Sequence, residues 1–183
     1  MPILGIMASA MSANLWQPQG AYDALSTVTV PSGGVASVTF AGIPNTYKHL
    51  QIRCLMSDTG SGSASMTAQF NGDTGANYAS HILLGNGSSA SAAAYTSDTK
   101  IFSGYFYQGT NIFGAAIVDV LDYANTNKNK TLRSLSGGDA NGNGQMRLFS
   151  GLWMNTGAIS SITLASNVGN FIQNSQFTLY GVK

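Results

Sequence analysis

The chain has 183 residues, and only 8% of them are charged: eight Lys and Arg against seven Asp, with no Glu. A net charge of +1 leaves no basic field for nucleic acid. The lone Cys54 rules out an intrachain disulfide framework, and no apolar run approaches the roughly 20 residues that cross a bilayer. The length suits one domain with a core of its own plus an arm.

The first segment differs from the rest. Residues 1–20 are apolar and small, with no charge before Asp23. With no Lys or Arg ahead of the apolar run, the segment does not read as a secretory leader. Ile3, Leu4, Ile6, Met7, Leu15 and Trp16 have no evident place in a self-contained domain, and such residues exposed on a free monomer are a liability. The segment reads as an arm that docks into an assembly, and Gln17-Pro18-Gln19-Gly20 as its hinge. Residues 21–183 form the domain.

Strand signals then follow at short intervals. Ser26–Val30 is β-branched and stops at Pro31-Ser32-Gly33-Gly34. Val35–Phe40 alternates, with Ala36, Val38 and Phe40 on one face. Leu50, Ile52, Cys54 and Met56 alternate with Gln51 and Arg53, a clear period of two, so Cys54 reads as a buried small hydrophobe. Met66, Ala68 and Phe70 repeat the pattern before Asn71-Gly72-Asp73. His81–Leu84 stops at Gly85-Asn86-Gly87, and the Ser/Ala/Thr stretch Ser88–Thr99 reads as a loop.

Ile101–Tyr107 and Gly114–Tyr123 are the next strands, followed by a lysine-bearing tip at Asn125–Lys130. Leu132 and Leu135 mark a short strand ending at Gly137-Gly138-Asp139. Met146–Met154, Ile159–Leu164 and Gln176–Val182 complete about ten strands, with no amphipathic helix longer than two turns. Short strands with regular turn punctuation predict an all-β, antiparallel β-sandwich, jelly-roll-like, with an extended N-terminal arm.

No chemistry stands out. His49 and His81 both sit in strand-like segments, and no G-x-S-x-G elbow is present. Asp119 and Asp122 are three apart at a strand end and face different ways, so they read as a paired Asp and a turn-starting Asp rather than a glycosidase pair. Asn71–Asn77 resembles a calcium loop only loosely, because it lacks the terminal Glu and enough carboxylates. No cofactor, metal or catalytic set is expected. Tyr95, Tyr105, Phe106, Tyr107 and Trp153 suit either a sugar-stacking surface or sheet core and subunit contact.

The stretches FNGDTGANYASHILLGNGSS (70–89), NIFGAAIVDVLDYANTNKNKTLRSLSG (111–137) and SGLWMNTGAISSITL (150–164), the closing FTLYGVK and the leading PILGIMASAMSANL together resemble a family of small tailed-bacteriophage virion-associated proteins common in aquatic phages. The resemblance covers nearly the whole chain and implies a virion location without any catalytic residue. It leaves two expectations open. One is a capsid decoration (cement) protein whose arm binds the major capsid protein. The other is a tail fibre or receptor-binding protein whose arm joins tail proteins and whose loops meet a host surface glycan. So few charges predict burial against copies of the chain, and the resemblance implies a trimer. The apolar runs place the oligomer contact at Phe102, Tyr105, Phe106, Tyr107, Phe149, Trp153 and Met154.

Overall fold

A computed structural model describes residues 20–109 and 111–183. The arm residues Ile3, Leu4, Ile6, Met7, Leu15 and Trp16 lie outside the described residues. Among those described there is no helix. The strands are β1 (Tyr22–Thr29), β2 (Ser37–Phe40), β3 (His49–Met56), β4 (Ser63–Phe70), β5 (Tyr78–Gly85), β6 (Ala90–Asp98), β7 (Ile101–Tyr107), β8 (Gly114–Leu121), β9 (Lys130–Asp139), β10 (Gly144–Trp153), β11 (Ile162–Ser166) and β12 (Gln176–Val182).

Every pairing is antiparallel, in two sheets. The larger has the order β1-β12-β3-β8-β9-β10-β5-β6, and the smaller β2-β11-β4-β7. Setting aside the β5-β6 and β9-β10 hairpins leaves eight strands. Counted afresh in chain order, they lie as 1-8-3-6 over 2-7-4-5. That is the interleaved double Greek key of a jelly roll. The two hairpins extend one of its sheets from four strands to eight.

The period of two in β3 explains the core. Leu50, Ile52, Cys54 and Met56 all point inward and are buried. They meet Val118 and Val120 of β8, Phe177 and Leu179 of β12, and the inner residues of the small sheet: Val38, Phe40, Met66, Phe70, Ile162 and Leu164. Each such side chain contributes about 1.5–3 kcal/mol by leaving water. Burial also pushes the Cys54 thiol well above its ordinary range, because a thiolate there would be desolvated. Lys130 is buried as well; its ammonium donates to the carbonyls of Lys128 and Thr156, and burial lowers its pKa.

Several sequence expectations change. The segment Ser88–Thr99 contains a strand, β6, rather than a loop. It escapes notice because it is an edge strand paired only with β5 and largely open on both faces, so no alternation is imposed on it. The strand at Leu132 and Leu135 runs on through Gly137 and Gly138, and those two leucines face opposite ways: Leu132 is buried and Leu135 exposed. β2 begins at Ser37, leaving Ala36 exposed outside it.

The aromatic runs also have another explanation. Tyr105, Phe106, Phe149 and Trp153 were expected at a subunit contact, but all four are buried inside this chain. β7 is the edge of the small sheet, and the extended large sheet packs against it. Ile101 and Phe106 enter the main core. Tyr105, with Phe102 and Tyr107 beside it, joins Ile82 of β5 and Phe149 of β10 in a second, smaller core. β7 is therefore apolar on both sides because both sides are covered within the chain. The close approach needs glycine: a Cβ on Gly114 would come within 2.8 Å of Phe106 Cα, and one on Gly138 within 2.6 Å of the Tyr107 backbone nitrogen.

Candidate functional site

The polar clusters come first, and most are spent on structure. Asp119 accepts from Gln51 Nε2 at 2.9 Å and Arg133 Nε at 3.1 Å, and Gln51 in turn accepts from Arg53 Nε at 2.9 Å. This is a polar row across β3, β8 and β9, with no unpaired carboxylate in it. Asp122 begins the turn after β8 with φ of 47°, and pairs with Lys128. The Lys128 ammonium is the main reason its carboxyl is held below the usual value. His49 Nδ1 accepts the Asp122 backbone N–H at 3.0 Å, so the ring is used as an acceptor. His81 lies exposed on the outer face of β5.

The Asn71–Asn77 loop closes on itself. Asp73 accepts from Trp153 Nε1 at 2.7 Å, from the Gly75 N–H at 2.8 Å and from Asn77 Nδ2 at 3.0 Å. These bonds, the indole's first, lower its pKa. Its lone pairs are committed to holding the loop onto the core. Asn71 does similar work: its Oδ1 accepts from the Ser160 and Ser161 backbone, and Nδ2 donates to the Ala158 carbonyl. Buried Asp58 accepts from Gln108, Ser166 and the Gly60 N–H, which ties the end of β3 to the β11 side. No group of three His, Cys, Asp or Glu able to hold a metal occurs among the described residues.

Of the aromatics that could have stacked on a sugar, Tyr105, Phe106 and Trp153 are interior. Tyr95 remains exposed on β6, its ring 4.8 Å from that of Phe102. Arg147 lies 4.1 Å over the Tyr105 ring, and its partial burial lowers its pKa. Of the expected contact residues, Met154 is exposed, while Phe102 and Tyr107 are half-buried.

Among the described residues, nothing covers the outer face of the large sheet. Register places Ile117 beside Leu135, Leu135 beside Leu148, Leu148 beside Leu83 and Leu83 beside Ala92. One aliphatic row thus crosses five strands, β8 to β6, with each Leu and Ile about half exposed. The row beside it runs Leu55, Ala115, Gly137, Met146, Gly85. Its small members form the floor of an open trough of about 810 Å³, walled by Phe113, Ile117, Leu135 and Met146 and by the β9-β10 turn. On the other side the aliphatic row is bounded by the polar row of Gln51, Asp119, Arg133, Ser150 and His81. Sequence reading missed this surface because its residues come from separate strands and meet only through register.

No protein-family model matches the chain, and no curated protein matches it.

Proposed function

We propose that this chain is a structural protein of a bacteriophage particle, a capsid decoration (cement) protein that assembles as a homo-oligomer and is joined to the major capsid protein through its N-terminal arm. The observation that carries the reading is the widened jelly roll. Two added hairpins turn one sheet into a broad face that presents an aliphatic row to solvent on a chain with almost no solvating charge. Contiguous exposed apolar surface of this kind marks an interaction site. Jelly rolls recur in viral coats, an analogy of fold that raises the expectation without assigning a role. The sequence resemblance to tailed-phage proteins points the same way.

The polar groups described above are bonded to one another and suggest no reaction, so the role proposed is non-enzymatic. A trimer remains the expected symmetry, and its contacts do not involve the buried aromatics Tyr105, Phe106, Phe149 and Trp153. One observation favours the second reading, a tail fibre or receptor-binding protein. Tyr95, exposed on the open edge strand β6 and braced by Phe102, is the kind of ring that stacks on a host surface glycan.

Copy counting by quantitative mass spectrometry of purified particles, with gold-labelled antibody to locate the protein, tests the proposal. Hundreds of copies on the capsid are expected. A few dozen at the tail would favour the fibre reading, and absence from the particle would sink both.

A further inference from the structure

We propose that in the free chain the segment Met1–Gln19 lies in the chain's own outer trough, along the row Ile117, Leu135, Leu148 and Leu83. The segment would then be withheld from partners until it is displaced.

The shape of the surface argues for a single peptide. With strands ~4.8 Å apart, the row from β8 to β6 is roughly 20 Å long, and the two facing rows lie only ~7 Å apart. A stable face-to-face contact between copies needs about 800 Å² from each partner, several times what this strip offers. An extended peptide of about six residues matches its length at ~3.4 Å per residue. The floor fits as well. Ala115, Gly137 and Gly85 leave backbone open to a neighbouring chain, and a Cβ on Gly85 would meet nothing within 4 Å.

Composition selects the occupant. The trough is walled mainly by apolar groups, with Asp139 at the β9-β10 turn the one charged side chain in its lining, and Ile3-Leu4-Gly5-Ile6-Met7 belongs to a segment with no charged side chain. Reach permits it. The described chain begins at Gly20, next to β1 at the far edge of the same sheet. Four strand spacings across and about six residues along place Leu135 roughly 28 Å away. The thirteen residues from Met7 to Gly20 extend to about 43 Å. A tether that spans its site gives a local concentration on the order of millimolar. Occupancy within the chain therefore outcompetes exchange between free chains at ordinary protein concentrations. The proposal concerns the unassembled chain and does not rest on the virion reading.

Paramagnetic relaxation tests it on the full-length protein. A spin label on Met7→Cys, attached under native conditions where Cys54 is buried, should broaden the methyl signals of Leu83, Ile117, Leu135 and Leu148 by more than half. Those of Ile162 and Leu164, buried on β11 of the small sheet, should stay sharp. Adding Leu135→Asp, or separately Leu148→Asp, should restore the row's signals while the Ile162 and Leu164 shifts report an intact fold; both sites are exposed. Three results would overturn the proposal: no broadening of the row, broadening that survives both substitutions, or broadening in a mixture where the spin label and the isotope label are on different molecules. Particle incorporation is scored separately, so its failure leaves this result standing.

Discussion

Trp153 and Asp73 meet across the end of the sandwich, the indole Nε1 donating to Asp73 Oδ2 at 2.7 Å. The ring itself is buried, stacked on Tyr78 at 16° and 6.2 Å and set edge-on to Phe70 at 5.5 Å. One bond thus secures a surface loop to the largest side chain of the core. The Asp73 carboxyl is lowered in the folded chain from its ordinary value of 3.8. A lowered folded pKa means the unfolded chain binds the proton first, so the bond's stabilisation is complete above 3.8 and is lost as pH falls through the folded value. Acid unfolding followed by tryptophan fluorescence should show this, with Asp73→Asn flattening the curve below pH 4. An unchanged acid limb in Asp73→Asn would mean the loop is held by other contacts.

Trp153→Ala should cost about 3–5 kcal/mol of folding stability, the usual range for a large core aromatic. The same holds for Phe106→Ala. Urea titration measures it. Sedimentation of the fraction that remains folded should show the same oligomeric state as the unmodified chain. A loss of association without loss of stability would return these rings to a subunit interface.

Gly114→Ala and Gly85→Ala make a matched pair within strands. The first drives a methyl against the Phe106 backbone, with its Cα 2.8 Å away, and backbone cannot swing aside as a side-chain end can. A cost of about 1–3 kcal/mol is expected. The second meets nothing within 4 Å and should stay within about 0.5 kcal/mol. Equal effects in thermal melts would show that the approach of β7 to β8 is softer than it looks.

Cys54 should be inert to a thiol reagent at neutral pH and react fully in urea. Its thiol is buried and its pKa raised by desolvation. The slow native-state labelling rate then reports opening of the β3 core. Rapid labelling without denaturant would show that β3 is exposed in solution.

Where one face of a strand is buried and the other wet, the sequence announces it. Leu50, Ile52, Cys54 and Met56 against Gln51 and Arg53 predict both β3 and its inward face, and Gln176–Val182 coincides with β12. Where burial is two-sided or absent, the same logic misleads. Tyr105 and Phe106 look like an interface because two cores claim them, while Ala90–Asp98 looks like a loop because almost nothing claims it. Asp119 was legible as a paired carboxylate, but its partners Gln51 and Arg133 were not, since pairing across β3, β8 and β9 depends on register. The aliphatic row is hidden for the same reason: Leu135 and Leu148 become neighbours only when the hairpin closes.

The first described strand has one neighbour, and it is the last. Among the described residues β1 pairs only with β12, and Thr27 reaches Thr178 across 151 residues. During synthesis β1 must therefore wait, unpaired, for nearly the whole domain to emerge. Contacts this distant in sequence are closed late and slowly. The strand that carries the N-terminal segment is the last to be fastened, so the segment gains a fixed anchor only after the sheet that would receive it has formed.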